Sequence, residues 1–447
     1  MNVDQRRRNC TSRLSEIDRL SSRSRRRIHS GLTALRRAHL LPRGHLIPFL
    51  QPYWKYEEIQ AGMQWSGADH THGKSETDDL ETHFLDGFGL NGVAVATSSG
   101  RTALELALRA LREDKIKRNQ VVVPAYSCRG LLDPIIQCDL VPVFADIGED
   151  LNLTAATVAP HLCSKTLAVV VVHLGGKYAR EVDAVSRVAH QNGAVVIEDL
   201  CQALGGRCEN QPWGAKAPMA IYSFGLGKNL TATAGGMLVA RTGLDFVRRE
   251  KARLGQENPA NVRARFAFIM SAYQRTGFRM LWNLPQMPVS SFESAYSYSR
   301  MSSLDAQLVR YQLARMDEII SARQRNATVL IKALRNVSGL SVPGRDGANV
   351  RTKFTVLADT APAAERTRAL LLRAGIETET MYTPLHLRDC GSRYSRGALP
   401  TTETIYQRAF NLPVRPSLSS QQITYVAEAT QRAVLVTTSG EQRTTPS

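Results

Sequence analysis

The strongest constraint on the fold is a series of short apolar runs that alternate with helical patterns from Val93 onward. Most of these runs are continuously hydrophobic, which is typical of strands buried on both faces. The predicted strands are Val93–Thr97, Gln120–Pro124, Val141–Asp146, Leu167–His173, Ala194–Asp199, Ala220–Ser223 and Met237–Ala240. The rhythm predicts an α/β fold with a mostly parallel, seven-stranded sheet that is covered by helices.

Length indicates more than one domain. At 447 residues the chain exceeds the roughly 250–300 residues at which single cores stop growing. We predict a large domain over 46–300, a smaller C-terminal α/β domain over 301–437 and a tail over 438–447. The second unit is expected to contain a long helix from Ser303 to about Asn336, a strand at Thr352–Leu357, and helices at Pro362–Ala374 and Ser419–Ala433.

The first 45 residues carry much of the positive charge. They hold twelve arginines and three acidic residues, whereas the whole chain has a net charge of +17. This composition predicts a disordered or loosely helical basic extension over 1–45. A solvated extension is favoured over a contact with a membrane or with nucleic acid and over an organellar transit peptide, and no nucleic-acid partner is expected.

Cysteine use and hydropathy indicate a reducing compartment. The seven cysteines are scattered, without a Cys-x-x-Cys spacing, which suits free thiols. The longest apolar run, Leu167–Val172, is far shorter than the roughly 18 residues of a membrane span. No secretory signal is expected, since no apolar region follows the basic N-terminal residues. We therefore predict a cytoplasmic protein, with a peripheral position at the inner membrane face as a further possibility.

Asp199 and Lys228 carry the chemical signal. Asp199 ends a predicted buried strand, the sheet edge where α/β proteins bind their ligands. A buried carboxylate needs a cation, and a pyridinium nitrogen would serve. Lys228 follows in a glycine-rich loop, where an amine could condense with the aldehyde of pyridoxal phosphate. Taken singly, Asp199 equally suits a helix N-cap or a salt bridge, and Lys228 suits a solvated charge.

A turn before the first long helix is a candidate phosphate site. Ser99, Gly100 and Arg101 lie where a strand ends and a helix begins, so free backbone N–H groups and the positive end of the helix dipole would face a ligand. The same Ser-Gly pattern is also typical of an ordinary helix cap.

Several motifs in one order resemble a known family. They are Ser99-Gly100-Arg101-Thr102-Ala103-Leu104, Val123-Pro124-Ala125-Tyr126, Pro142-Val143-Phe144-Ala145-Asp146, Val172-His173-Leu174, Ile197-Glu198-Asp199, Gln202-Ala203-Leu204-Gly205, Ser223-Phe224, Lys228-Asn229-Leu230, Gly235-Gly236-Met237, Tyr382-Thr383-Pro384-Leu385-His386 and Asn411-Leu412-Pro413-Val414. The chain resembles the DegT/StrS sugar aminotransferases, which are fold-type I pyridoxal-phosphate enzymes, over roughly Leu46 to Val434.

The resemblance implies roles for individual residues. Lys228 would form the Schiff base with the cofactor, and Asp199 would pair with the ring nitrogen. Gln202 would contact the phenolic oxygen. Ser223 and the Ser99-Gly100-Arg101 turn would bind phosphate, while His173, Tyr382 and His386 are candidate substrate contacts. The family also implies a homodimer with active sites at the subunit interface.

Three departures from the family pattern bear on the substrate more than on the cofactor. Cys128 stands where many relatives carry an aromatic residue, so Tyr126 or the Cys128 thiol is expected to cover that face of the cofactor ring. Ala234 replaces a frequent glutamate. Tyr178-Ala179-Arg180 replaces a Pro-Ala-Asp sequence.

Two further segments are ambiguous. An insertion at about 256–298 is rich in arginines and large apolar residues. A lid or dimer-packing element is favoured for it over an amphipathic helix pair on a membrane. The segment Asp69-His70-Thr71-His72 has the side chains of a chelate but no regular ligand spacing. A polar loop is favoured there, and no metal is predicted.

The preferred function is transfer of an amino group from glutamate or glutamine to a nucleotide-linked keto sugar or a related cyclitol. A pyridoxal-dependent sugar dehydratase is the alternative on the same scaffold, although some such relatives replace the lysine by histidine. A non-catalytic regulator with an arginine-rich arm is the alternative from another class.

Overall fold

The computed structural model describes residues 47–67, 75–208, 210–273, 296–344 and 349–442. The first part of the chain forms α1 (Tyr56–Gln64), α2 (Glu76–Phe88), β1 (Val93–Thr97), α3 (Gly100–Asp114), β2 (Gln120–Pro124), α4 (Leu132–Gln137), β3 (Val141–Ala145), α5 (Ala155–Val158), β4 (Thr166–Val172), α6 (Val182–Gln191), β5 (Val195–Asp199), β6 (Arg207–Cys208), β7 (Gln211–Pro212), β8 (Met219–Ser223), β9 (Gly236–Ala240), α7 (Leu244–Arg253) and α8 (Pro259–Tyr273). The remainder forms α9 (Ser303–Leu313), α10 (Met316–Leu334), β10 (Leu340–Ser341), β11 (Phe354–Ala358), α11 (Ala361–Arg373), α12 (Asp389–Ser392), α13 (Pro400–Arg408), β12 (Ala409–Leu412) and α14 (Ser420–Gln442).

The large unit is built on a seven-stranded sheet. Its strand order is β1-β9-β8-β5-β4-β2-β3. Only β9 runs against its neighbours, since it pairs antiparallel with β1 and β8 while the other pairs are parallel. The predicted α/β fold with a mostly parallel seven-stranded sheet is therefore confirmed, and the observed strands differ from the predicted ones by one residue at some ends.

Strand β4 shows why the apolar runs are continuous. Val170 and Val172 pack into one core cluster, whereas Val169 and Val171 pack into another on the opposite face. Successive side chains of a strand point to opposite faces, so a strand covered by helices on both sides needs an apolar residue at every position.

A second core defines the C-terminal unit. It surrounds the antiparallel sheet β10-β11-β12 and draws on α10, α11 and α14. Ile47 also belongs to it, because its backbone bonds with Gly375 and Glu377 bring the start of the described chain to this unit. Helix α9 packs instead with the core of the large unit, so the two cores divide the chain within α10 and not at 301. The closing helix runs to Gln442, beyond the predicted end at 437.

The single helix predicted from Ser303 to about Asn336 is two helices. The break lies at Arg315, whose backbone (φ −122°, ψ 25°) is not helical. The Arg315 guanidinium contacts the carboxylate of Glu58, which is fully buried, and donates to the Tyr53 carbonyl at 2.9 Å. This ion pair across the chain fixes the break, and no local pattern in the sequence encodes it.

The described part of the insertion is a packed helix. In α8, Val262, Phe266 and Ile269 are buried, and the Phe266 ring stacks on Trp54 with centroids 5.5 Å apart. Arg265 pairs with Glu257 at 3.0 Å and with Asp305 at 3.4 Å. These contacts match the packing interpretation and not a helix whose apolar side faces lipid. None of the helices in the described ranges combines the length with the apolar character that a bilayer span requires.

Candidate active site

The candidate site lies at the carboxyl edge of the large sheet. The parallel strands β1, β2, β5 and β8 all end there, so the loops that follow them meet at one edge. Open α/β sheets bind ligands at this edge. The loops bring the Ser99 turn, Cys128, Asp199 and Ser223 to the same region.

Helix α3 supplies an anion-binding end. Ser99 is its N-cap, and the Ser99 hydroxyl accepts from the Thr102 N–H at 3.2 Å. Gly100 and Arg101 occupy the first helical positions, whose N–H groups have no acceptor within the helix. A Cβ at Gly100 would lie 3.0 Å from the Cys201 sulfur and 3.2 Å from the Ser223 Cβ. The helix start, Ser223 and Cys201 are therefore in contact, as predicted for the first two.

The Arg101 side chain serves a different contact. Its guanidinium lies 3.4 Å from the Asp133 carboxylate and 5.0 Å from the centre of the Tyr296 ring. Only the backbone of Arg101 thus faces the candidate phosphate position at the start of α3. The side chain ties α3 to the segment that follows Cys128.

Asp199 is held at the end of β5 without a cationic partner. It is 7% exposed, and its Oδ1 accepts from the Cys201 N–H at 2.9 Å. No lysine or arginine of the described ranges forms an ion pair with it. The salt-bridge alternative is therefore not realised, and the carboxylate forms a local turn bond instead of capping a helix. A buried carboxylate of this kind suits a cationic ligand.

Lys228 lies in the turn between β8 and β9. It is half-buried, and its carbonyl accepts from the Thr231 hydroxyl at 3.0 Å and from the buried Arg323 guanidinium at 3.4 Å. Gly227 has φ +83°, and a Cβ there would lie 2.8 Å from the Leu50 side chain. The left-handed backbone therefore favours glycine next to the lysine, and a larger residue would also have to displace the Leu50 side chain.

The Cys201 thiol connects the two predicted catalytic residues. Burial raises the pKa of the Cys201 thiol well above its usual value, the charge of Asp199 raises this pKa further, and the charge of Lys228 lowers it. The sequence analysis missed Cys201, although its position two residues after Asp199, in the same turn, was an available signal.

Gln202 and Tyr382 join the two units beside the site. The Gln202 amide donates to the Tyr382 hydroxyl at 2.6 Å, and its oxygen accepts from the Gly175 N–H at 2.8 Å. Burial raises the pKa of the Tyr382 phenol well above its usual value, and charges at Cys128, Glu379 and Asp199 raise it further. Tyr382 is therefore a neutral hydroxyl close to the Asp199 carboxylate and the Cys128 thiol.

Of the two residues predicted to cover the cofactor ring, only Cys128 is accessible. Cys128 is exposed, and its sulfur accepts from the Gly130 N–H at 3.4 Å. Tyr126 is 1% exposed and packs inside the main core. Of the two alternatives, the structure therefore favours the Cys128 thiol as the residue that could cover the ring.

The two histidines predicted to contact substrate are buried. His173 is completely enclosed, with its Nε2 3.0 Å from Glu198 and its Nδ1 accepting from the Ala179 N–H at 3.1 Å. His386 is 3% exposed, and its Nε2 lies 3.0 Å from Glu403. Both imidazoles thus pair with carboxylates inside the fold, whereas the Tyr382 hydroxyl contacts the Gln202 amide.

These residues fit pyridoxal phosphate. The start of α3 and Ser223 suit its phosphate, Asp199 suits a protonated ring nitrogen, and Lys228 suits the aldehyde. Within the described ranges, no group of three or more His, Cys, Asp or Glu side chains is arranged to hold a metal ion. The Asp69–His72 segment and the 1–45 extension lie outside the described residues.

Two curated relatives share most of the chain's length. The spore coat polysaccharide biosynthesis protein SpsC of Bacillus subtilis (strain 168) is 27% identical over 402 residues, which cover 88% of this chain and 98% of the relative. The dTDP-3-amino-3,4,6-trideoxy-alpha-D-glucose transaminase of Streptomyces venezuelae is 27% identical over 394 residues, covering 86% and 95%.

The fold is shared with a solved structure in which the cofactor is named. The putative sugar aminotransferase Spr1654 of Streptococcus pneumoniae, in its PLP form, superposes with a TM-score of 0.70 at 19% identity, covering 88% of this chain and all of that one. The sequence profile of the DegT/DnrJ/EryC1/StrS aminotransferases matches residues 55–431. The chain therefore belongs to the DegT/DnrJ/EryC1/StrS aminotransferase family and is a pyridoxal-phosphate-dependent aminotransferase.

Proposed function

We propose that this enzyme moves the amino group of glutamate or glutamine to a nucleotide-linked keto sugar, or to a related cyclitol, in glycan or secondary-metabolite synthesis. The observation that carries the chemistry is that Asp199 is buried at the end of β5 with no cationic partner in the described ranges, while Lys228 lies in the turn after β8, the strand paired with β5. The sugar substrate is supported by the names of the two relatives, one a dTDP-amino-sugar transaminase and the other a polysaccharide biosynthesis protein.

Pyridoxal phosphate, when bound, supplies an aldehyde that condenses with amines and a ring that accepts the electron pair released at the substrate carbon. Asp199 would hold the proton on the ring nitrogen. The Lys228 amine would take a proton from the substrate Cα and deliver it to C4′ of the cofactor as general base and acid. The start of α3 and Ser223 would hold the phosphate.

Gln202 and Tyr382 would orient the ring. The Gln202 amide is fixed at both ends, by the Gly175 N–H and by the Tyr382 hydroxyl, so it is preorganised to meet the phenolic oxygen.

The test is covalent attachment to Lys228. Protein loaded with pyridoxal phosphate is reduced with borohydride and mapped by peptide mass, and the modified peptide is expected to contain Lys228. Lys228→Ala is expected to abolish the modification and the visible absorbance, whereas Lys216→Ala, which replaces an exposed lysine of the preceding loop, keeps both. Modification at another lysine in the wild type would refute the assignment.

The sugar reaction is tested separately. Wild-type enzyme is incubated with glutamate or glutamine and a panel of nucleotide-linked keto sugars, and an amino sugar plus a 2-oxo acid are expected in equal amounts. Loss of water from the sugar without formation of a 2-oxo acid would indicate the dehydratase instead. Binding of the full chain to nucleic acid with no turnover of any amino acid would indicate the regulator.

We also propose a homodimer in the cytoplasm, on the basis of the family resemblance. Light scattering of the purified protein is expected to give twice the chain mass of 49.4 kDa. A monomer that carries full activity would contradict an active site shared between subunits.

A further inference from the structure

The amino donor brings a carboxylate into a site that already holds one. The buried Asp199 carboxylate would already be paired with the ring nitrogen, and every amino-acid donor brings at least one further carboxylate. Burial of an unpaired charge is costly, so a donor needs a cation beside the cofactor. Lys228 is committed to the cofactor, and the Arg101 guanidinium lies 3.4 Å from Asp133.

Lys353 is a cation at the right place. Its backbone N–H donates to the Gly175 carbonyl at 3.1 Å, next to the N–H that holds Gln202. Its ammonium lies 5.1 Å from the centre of the Tyr382 ring, whose hydroxyl accepts from Gln202. The lysine therefore belongs to the same group of residues as the predicted ring contacts, and its side chain is only 10% exposed.

One carboxylate holds the Lys353 ammonium. Glu379 lies 2.6 Å from it, and the same Glu379 oxygen accepts from the Asn411 amide at 3.1 Å. The Glu379 side chain stays 30% exposed, three times as much as that of Lys353. The Lys353 ammonium is thus nearly buried, whereas the Glu379 carboxylate is more accessible and also accepts a hydrogen bond from Asn411. Another carboxylate can therefore displace Glu379 from the ammonium.

We propose that Lys353 binds a carboxylate of the amino donor and that Glu379 occupies the ammonium while no donor is bound. The proposal rests on the aminotransferase function stated above and specifies how that site recognises its donor. Glu379 competes with the donor carboxylate for the Lys353 ammonium. When the donor binds, Glu379 keeps its hydrogen bond with Asn411, which partly replaces the lost ion pair. The alternative is a purely structural ion pair between the residue before β11 and Glu379, whose backbone pairs with Asn411 of β12.

The two variants of the pair give opposite results under the proposal. Lys353→Met in the holoenzyme is expected to raise the KM for the amino donor roughly tenfold or more, because a charge-assisted contact is lost. Glu379→Gln is expected to lower the KM severalfold, because the competing charge is removed while the shape stays similar. A structural ion pair would predict loss of thermal stability in both variants and no tightening in either.

A binding measurement separates recognition from turnover. Glutarate has two carboxylates and no amine, so it binds without reacting, and calorimetry on the holoenzyme gives its Kd. This Kd is expected to rise in Lys353→Met and to fall in Glu379→Gln, while Lys353→Arg stays close to wild type. Lys332→Met, at an exposed lysine of α10, is the control and should leave the Kd unchanged.

Comparison of two donors shows which carboxylate is bound. Without sugar, the amino group stays on the cofactor and one equivalent of 2-oxo acid is released, so the rate of this single half-reaction against glutamate or glutamine concentration gives the apparent KM of each donor. A higher KM for both donors in Lys353→Met places the α-carboxylate at Lys353, and a higher KM for glutamate alone places the side-chain carboxylate there. Unchanged KM values and an unchanged glutarate Kd in a folded Lys353→Met would overturn the proposal. If the wild type releases no 2-oxo acid from any amino acid, the proposed function fails instead.

Discussion

The Gln202 amide donates a 2.6 Å hydrogen bond to the Tyr382 hydroxyl, which links the loop after β5 to the segment that crosses to the small unit. Since the acceptor is half-buried and the Gln202 oxygen is already bound by Gly175, the bond fixes the amide in one orientation. It is the shortest connection that the structure shows between a predicted cofactor contact and a predicted substrate contact.

Tyr382→Phe is expected to lower the free energy of unfolding by about 0.5–1.5 kcal/mol, the usual net value of one hydrogen bond. It should also weaken cofactor binding, because the Gln202 amide loses its fixed orientation. Urea unfolding and titration of the apoprotein with pyridoxal phosphate measure the two effects. Tyr394→Phe is the control, since the Tyr394 hydroxyl has no hydrogen-bond partner in the described ranges, and equal losses in both variants would contradict the assigned role.

Lys177 predicts a pH-dependent stability. It is 3% exposed, and its ammonium has no hydrogen-bond partner in the described ranges. Burial lowers the pKa of Lys177 from 10.5 to about 7, the nearby charge of Arg351 lowers it as well, and Asp150 opposes the shift. The folded state therefore releases a proton that the unfolded chain keeps between about pH 7 and pH 10.5.

The sign of this effect follows from proton counting. Where the unfolded chain binds more protons, stability rises with pH. The free energy of unfolding is thus highest above about pH 10.5 and decreases as the pH falls. Near pH 7 the contribution of Lys177 to it is lost. Relative to wild type, Lys177→Met should be more stable near neutrality and should lose that advantage at about 1.4 kcal/mol per pH unit toward high pH. Parallel unfolding curves at all pH values would contradict the buried, neutralised lysine.

With Cys128 beside the cofactor ring, we expect a lower affinity for pyridoxal phosphate than an aromatic residue at this position would give. The thiol is exposed at the position where many relatives have a ring, and Tyr126 is buried in the core. Stacked aromatic pairs contribute about 0.5–1.5 kcal/mol beyond their buried area, so Cys128→Tyr should lower the Kd of pyridoxal phosphate severalfold. Cys128→Ser, which keeps the size and adds no ring, should leave it nearly unchanged. A weaker affinity in Cys128→Tyr would show that the thiol does not face the ring.

The residues predicted from the sequence are those whose position follows from the strand order. Asp199 and Ser223 end buried strands, and Ser99 begins a helix directly after one. Because parallel strands share one carboxyl edge, their convergence could be predicted without coordinates. Lys228 lies within a loop, so its role is predicted only by its pairing with Asp199 and by the family resemblance.

Burial and ion pairs that depend on partners far along the chain could not be predicted from the sequence. The His173 ring packs against both Tyr178 and Trp213, whose rings also contact each other, and the tryptophan lies forty residues further along the chain. The Lys353–Glu379 pair joins two segments that show no motif in the sequence. Contacts of this kind are set by tertiary packing, so periodicity and local motifs carry no signal for them.

Phe266 tests the role of the insertion. Its ring is 7% exposed and stacks on Trp54 at an interplanar angle of 14°, and Trp54 in turn donates to the Thr231 carbonyl at 2.6 Å, three residues after Lys228. Phe266→Ala should therefore lower the free energy of unfolding by about 3–5 kcal/mol, the range for large-to-small changes in a core.

The half-buried neighbour Phe268 provides the matched control. Phe268→Ala should cost clearly less in urea unfolding, and neither variant should change sedimentation of the protein with anionic vesicles. A membrane-surface helix predicts the reverse, with little change in stability and weaker vesicle binding in both variants. Since Arg265 also ties α8 to Asp305, which accepts from the Thr233 and Ala234 N–H groups at 2.8 and 3.2 Å, loss of Phe266 packing should disturb the loop that carries Lys228. Weaker retention of pyridoxal phosphate in Phe266→Ala than in Phe268→Ala would demonstrate this coupling.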